Sequence, residues 1–364
     1  MRLVPPEGNP SSKIAIIGES PGAYEVNALR PFVGPSGGVL EECLHIAGVI
    51  RSEVYITNLF KFKVVKDKDG NMKHPYDHTL LFRGKKGEFT DEAQPYLDEL
   101  AEELRGVSSN VLVPMGNAPL SALTGNTSIT KWRGSILPTA FCSQNERKVV
   151  PTIHPAATLR GNYLARYHIA FDLGRAKEQS SFPEIQPLNH DIKIKPSFTE
   201  ALAFLDYCIV EGRKGHKVNY DVETINEEIS CIGYSVKPNE AMCIPHHAYW
   251  TIEEEVAILE KTAELLEDPS IPKTNVNILF DNYAMAIKCG IIVRGYLDDP
   301  QIGTHIIYPD FMKNLGFLTS IHTKIPYFKS MGRTWVTGAN AAPQSNQFWV
   351  YNCLDNISSR ECDG

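Results

Sequence analysis

The sequence has no apolar run long enough to span a bilayer, and its first residues, Met1-Arg2-Leu3-Val4-Pro5-Pro6-Glu7-Gly8, lack the apolar core of a signal peptide. Both absences lead us to expect a soluble, intracellular, cytoplasmic protein with no membrane partner. There is no CxxC pair either. The cysteines stand singly at 43, 142, 208, 231, 243, 289, 353 and 362, which reads as reduced, mostly buried thiols. Cys243 with His246 and His247 comes nearest to a zinc cluster, but the spacing fits no common zinc module. A basic excess is missing too. The net charge of −7 argues against tight non-specific binding to nucleic acid. That charge is uneven: residues 1–180 carry 21 Lys and Arg against 19 Asp and Glu, so the acidity lies in the second half. Carboxylates neutralised by bound metal remain compatible with chemistry on a polyanion.

What is present is ordinary globular composition, 43% hydrophobic and 22% charged over 364 residues, a length that favours two domains. Apolar β-rich runs at Lys13–Gly18, Val54–Leu59, Val111–Gly116 and Val149–His154 alternate with helical patterns at 37–48, 96–104 and 118–123. That alternation predicts an α/β domain with a largely parallel sheet over residues 1–180. Residues 64–90, rich in Lys, Asp and Gly, read as a long loop or insertion. A proline-punctuated linker follows at 181–197, then a second domain at 198–364. Its predicted elements are a helix over 199–210, adjacent strands at 218–223 and 229–234, and helices over 253–266 and 282–288.

Three loops at strand ends in the first half carry unusual residues, and that edge of an open α/β sheet is where ligands bind. One is Gly18-Glu19-Ser20-Pro21-Gly22, continuing to Arg30-Pro31-Phe32-Val33-Gly34-Pro35-Ser36-Gly37. Its glycines and prolines fix a tight backbone, and Phe32 can present its face to a planar group. Asn58 ends the second strand with an amide that offers a donor and an acceptor. The third loop, His154-Pro155-Ala156-Ala157-Thr158-Leu159-Arg160, supplies an imidazole, a small-residue turn and an Arg able to reach a phosphate.

These segments, with Val54-Tyr55-Ile56-Thr57-Asn58, Pro114-Met115-Gly116 and Trp132-Arg133-Gly134, resemble the uracil-DNA glycosylase superfamily over about residues 13–175, the family 4 enzymes most of all. The resemblance implies a three-layer α/β/α fold and a pocket for a flipped base. It implies that Phe32 stacks on uracil, Asn58 bonds its edge and His154 faces a carbonyl oxygen. Gly18, Glu19 and Ser20 would line the water side, and Leu159 and Arg160 would press on the DNA. Two departures stand out. The four cysteines that hold the family's iron–sulfur cluster are absent before the first strand, at Phe60-Lys61-Phe62-Lys63 and near Gln94, so no iron–sulfur cluster is expected. Ser20 also stands where some members carry a water-activating Asp. An active glycosylase and a pocket kept only for nucleic-acid binding both remain open.

In the second half, Asp221-Val222-Glu223 ends an apolar strand with both acids on one face. Asn277-Ile278-Leu279-Phe280-Asp281 leads into a helix, and Tyr351-Asn352-Cys353-Leu354-Asp355 places Tyr and Asp as helical neighbours. Such acids are costly together unless they bind cations, and they suit two hard cations about 3.5–4 Å apart. The three motifs, over residues 192–358, resemble the proofreading 3′→5′ exonuclease of A-family DNA polymerases, a ribonuclease-H-like DEDD fold of the Tyr subtype. Leu297-Asp298-Asp299-Pro300 and Thr319–Tyr327 resemble the connecting region in bacteriophage polymerases. The resemblance implies two divalent cations, Mg²⁺ or Mn²⁺. Asp221 would bridge them, Glu223 and Asp355 would hold the first, and Asp281 would sit in the outer shell. Tyr351 would orient the attacking water and Asn277 would contact DNA.

The expectation is a DNA-processing 3′→5′ exonuclease with a uracil-DNA-glycosylase-like domain, part of a phage-type A-family polymerase and working in the host cytoplasm. Its partners would be single-stranded 3′ ends, uracil-containing DNA and a polymerase domain or subunit. A catalytically inactive positioning module and a uracil-excision repair enzyme are the alternatives.

Overall fold

The computed structural model describes residues 2–65, 77–83, 88–140, 146–246, 249–331 and 345–363. Cys142, His247 and parts of the 64–90 stretch lie outside them. The chain divides into two units, Met1–Gln186 and Pro187–Gly364. No helix among the described residues is long and apolar enough to cross a membrane.

The first unit contains β1 (Ile14–Gly18), β2 (Val54–Asn58), β3 (Phe82–Arg83), β4 (Glu88–Phe89), β5 (Val111–Pro114), β6 (Leu137–Pro138) and β7 (Lys148–Val149). Its main sheet has the order β2-β1-β5-β7-β6, parallel except at the β6 edge. Every residue of β1 and β2 is buried, as continuous apolar runs in a doubly covered parallel sheet require. Alternation sends Ile14 and Ile16 into the core under the helices Pro35–Ile46 and Ala165–Gln179, and Ala15 and Ile17 into the core under Gln94–Arg105. The three-layer arrangement follows. The register pairs Gly18 with Asn58, setting both at the same sheet edge.

Two expectations change here. The fourth strand is only Lys148–Val149, with a bridge from Thr152 to Met115. Pro151 has no N–H to continue the ladder. The 64–90 stretch is not all loop, because His78–Leu81 is a short helix and β3 pairs with β4. Leu81 and Phe82 are buried in the core, which rewards ordering that segment.

The second unit contains β8 (Asp191–Lys193), β9 (Val218–Ile225), β10 (Glu228–Ser235), β11 (Glu240–Pro245), β12 (Lys273–Thr274) and β13 (Leu297–Asp298). β8 lies within the stretch read as linker. The sheet order is β13-β12-β9-β10-β11-β8, with β10 antiparallel to both neighbours and β12 and β13 parallel to β9. An antiparallel meander extended on its first strand by parallel strands is the ribonuclease-H-like topology. Capping boxes start the helices Phe198–Arg213 and Ile252–Glu267. Val222 points into the core beneath those helices. Asp221 and Glu223 therefore face the other side, where the helix Asn346–Cys362 packs through Phe348, Trp349, Cys353 and Ile357.

Candidate functional site

The first unit holds a cleft of about 480 Å³ lined by Glu19, Ser20, Gly116, His154 and Arg160 among others. Phe32 and Asn58 are buried at 6% and 4% exposure, and Phe32 stacks on His154 with ring centroids 5.7 Å apart. Gly18 is what lets them meet, since a Cβ there would lie 2.3 Å from Asn58 Oδ1 and 2.8 Å from Phe32 Cζ. Phe32 has φ 49°, a left-handed conformation costly for a bulky residue. Its neighbours impose it. Arg51 donates to Pro31 O (2.8 Å) and Phe32 O (3.2 Å), and Glu25 Oε1 accepts the N–H groups of Val33 (3.2 Å) and Gly34 (2.8 Å).

His154 Nδ1 accepts the Ala156 N–H at 3.1 Å, which leaves the ring proton on Nε2. Desolvation, then nearby Arg160, pushes the imidazole down to about 4. It is a neutral N–H donor at the cleft wall, suited to negative charge developing on a carbonyl oxygen. Two residues before it, Thr152 donates to Asp172 (2.8 Å), which also forms a fully buried ion pair with Arg133. Leu159 is exposed, and Arg160 is an exposed residue that lines the cleft.

The loop after Asn58 offers no thiolate for an iron–sulfur cluster, and that group does not fit these residues. Lys61 Nζ donates to Thr57 Oγ1 (2.6 Å) and Asn58 O (2.8 Å) and pairs with Glu103. Phe60 meets Phe62, Phe82 and Tyr96 within 5.7 Å, so the inserted segment itself buttresses this loop.

In the second unit, Asp221, Glu223 and Asp355 each bring one oxygen within 4.8 Å of the others. Burial is the largest cause raising all three acids, and their mutual repulsion adds to it for Asp221 and Glu223; Asp221 is pushed up to about 7. Asp355 Oδ1 is buried without a hydrogen-bond partner among the described residues. An orphaned carboxylate oxygen beside two other acids fits a hard cation, held by Asp221, Glu223 and Asp355. Asp281 is not brought into this set. Its Oδ1 accepts the Val222 N–H (2.8 Å) and its Oδ2 the Asn275 amide (2.9 Å).

Three residues at this site were not legible from the motifs. Asn275 Nδ2 also reaches Asp221 Oδ1 at 3.3 Å, and Asn352 Nδ2 donates to Asp221 Oδ2 at 2.8 Å. Lys329 Nζ donates to Asp355 Oδ2 at 2.6 Å and to Tyr351 Oη at 2.7 Å. Asn277, the motif residue, is exposed at φ 64°; its backbone N–H donates to Asp299 Oδ2 at 3.0 Å and its carbonyl accepts the Phe280 N–H at 3.0 Å, while its amide has no hydrogen bond among the described residues.

The chain is 12% identical to the catalytic core of RRP6 from Trypanosoma brucei, with a TM-score of 0.38 over 49% of this chain and 47% of that one. It is 26% identical over 155 residues to a DNA polymerase of Bacillus phage SP01, covering 42% of this chain and 14% of the polymerase. A type-4 uracil-DNA glycosylase of Thermotoga maritima is 33% identical over 176 residues, 47% of this chain and 79% of that enzyme. The family model described as the uracil DNA glycosylase superfamily matches residues 5–171, and through them this chain belongs to that superfamily.

Proposed function

We propose that the chain is a DNA-processing protein whose second unit is a two-metal 3′→5′ exonuclease of the proofreading type and whose first unit receives a flipped uracil. The observation that carries the nuclease reading is the convergence of Asp221, Glu223 and Asp355 within 4.8 Å, with Tyr351 one helical turn from Asp355. Bound divalent cations would activate water and stabilise the leaving 3′ oxygen. Asp221, gripped by the Asn275 and Asn352 amides, would help hold the cations with a fixed carboxylate. Glu223 and Asp355 complete the set. Asp281 acts from behind, fixing the Val222 backbone and the Asn275 amide. Tyr351 Oη orients the attacking water.

In the first unit, His154 donates from Nε2 to a carbonyl oxygen of the base, Asn58 reads its edge and Phe32 backs the pocket. Membership of the glycosylase superfamily supports uracil as the base. Similarity to a phage polymerase, though over 14% of its length, supports a place in DNA replication beside a polymerase domain or subunit.

The test uses two 5′-labelled single-stranded oligonucleotides, identical but for one uracil, with Mn²⁺ or with EDTA. A ladder shortening from the 3′ end and lost in EDTA is expected from the second unit, and an alkali-labile break at uracil from the first. No ladder with any divalent cation removes the nuclease reading. A ladder with no uracil-dependent break leaves the first unit as a binding module.

A further inference from the structure

We propose that Lys329 is a positioning residue of the nuclease site, a protein-borne cation that stays on Tyr351 and Asp355 while divalent cations bind beside it. The inference rests on the nuclease reading above. Lys329 Nζ lies 2.6 Å from Asp355 Oδ2, 2.7 Å from Tyr351 Oη and 4.8 Å from the centre of the Tyr351 ring. Asp355 thereby divides its oxygens. Oδ2 takes the ammonium, while Oδ1, buried and without a hydrogen-bond partner among the described residues, is left for a cation. The two occupants do not compete for one atom.

The same contact fixes the phenol. A tyrosine hydroxyl has one proton to donate and two lone pairs. Tyr351 Oη accepts one hydrogen bond, from Lys329. Its proton and its second lone pair remain, and a water held by either lies in a direction set by that bond. Without the ammonium, no other hydrogen bond among the described residues would fix the rotation of the hydroxyl. Misplacement of a reacting group by about 1 Å is enough to slow a reaction about 10²-fold.

The experiment compares the full chain with K329M and K329R. Hydrolysis of a 5′-labelled single-stranded oligonucleotide in Mn²⁺ gives kcat and KM, and calorimetry gives the number and affinity of Mn²⁺ ions bound. For K329M the expected result is a kcat lower by about 10²-fold, an unchanged KM, and Mn²⁺ bound in the same number with equal or greater affinity. K329R should recover part of kcat, because guanidinium still donates to both oxygens. A K329M chain that is faster at subsaturating Mn²⁺ would mean that the ammonium only occupies an ion's place, and the proposal falls. It falls equally if K329M loses Mn²⁺ binding together with thermal stability, or if kcat does not move. A parent chain that degrades nothing, behaving like D221A, removes the nuclease reading and this proposal together. An active parent with an unchanged K329M removes this proposal alone.

Discussion

Gly233 sits directly under Asn352: a Cβ at 233 would lie 2.3 Å from Asn352 Oδ1 and 2.1 Å from Asn356 Nδ2. Gly233 is also the cross-strand partner of Asp221. The missing side chain therefore lets the helix Asn346–Cys362 settle onto the sheet where Asn352 must reach the carboxylate. Gly233→Ala should push that helix outward, costing about 1–3 kcal/mol as overpacking does. Nuclease activity should fall more than stability suggests, because Asp355 and Tyr351 ride on the same helix. Chemical denaturation and the Mn²⁺-dependent ladder, measured together, decide it; full activity in G233A would show that the close approach is not needed.

Arg51 and Phe32 give a second, separable expectation. The left-handed Phe32 is held by the Arg51 guanidinium on the carbonyls of residues 31 and 32. Arg51→Met removes those donors and frees a conformation that is strained by about 1–3 kcal/mol. Uracil-containing DNA should bind more weakly and any uracil release should slow, while exonuclease kinetics on uracil-free DNA stay within twofold, about the scatter of a remote substitution. Equal loss of both activities would mean that Arg51 matters only to folding.

His154 supplies the pH dependence. Its folded pKa, about 4, lies below the ordinary 6.5, so the unfolded chain takes up the proton more readily. The sign follows: the stability contributed by the neutral ring is fully present above pH 6.5 and is lost as pH falls toward 4. The loss reaches about 3 kcal/mol if the whole shift is realised. His168, also pushed to about 4 by burial and by Arg133, acts in the same sense. Denaturation midpoints measured from pH 7 to pH 4 should fall less steeply in His154→Gln than in the parent. A His154 ring that titrates near 6.5 by NMR would remove the neutral-donor role along with this dependence.

Adding Mn²⁺ should raise the stability of the second unit, because Asp221, Glu223 and Asp355 are crowded acids with raised pKa values. At a cation concentration one hundred times its dissociation constant, the gain is about 2.7 kcal/mol. The gain should shrink as pH falls below about 7, where Asp221 takes up its proton, and should vanish in Asp221→Ala. A thermal shift by Mn²⁺ that is as large in D221A as in the parent would place the cation elsewhere.

Asp221 and Glu223 were legible because a strand's period of two puts them on one face, and Tyr351 with Asp355 because a helix brings i and i+4 together. The parallel sheet was legible for a similar reason: residues 14–17 are apolar on both faces, 54–56 nearly so, and both runs are buried throughout. Contacts between elements distant in sequence were not. Nothing near Lys329 says that it will meet Tyr351, and Gly233 reads as any strand glycine until a helix lands on it. Phe82, in a stretch read as loop, buttresses Phe60 only because the insertion folds back onto the core.

The asparagines of the second motif show where pattern and geometry part, and they can be tested against each other. The motif points to Asn277, four residues before Asp281. The structure instead puts the working amide on Asn275, whose Nδ2 bridges Asp281 Oδ2 and Asp221 Oδ1. Asn275 is 1% exposed and its Oδ1 accepts the N–H of Val276, so the amide orientation is fixed by the backbone. Asn275→Ala leaves Asp281 without its second donor and loosens Asp221, a loss of about 1–3 kcal/mol for unsatisfied buried polar groups. The cation set should bind Mn²⁺ less tightly and turnover should drop at least tenfold, the equivalent of about 1.4 kcal/mol. Asn277→Ala asks only a left-handed backbone to accept a Cβ-bearing residue that favours it less, about 1–2 kcal/mol, with Mn²⁺ affinity unchanged. If Asn277 contacts DNA, KM alone should rise in that variant. Reversed outcomes, with N277A losing Mn²⁺ and N275A keeping it, would return the metal-site role to the motif residue and reassign the Asn275 amide to packing.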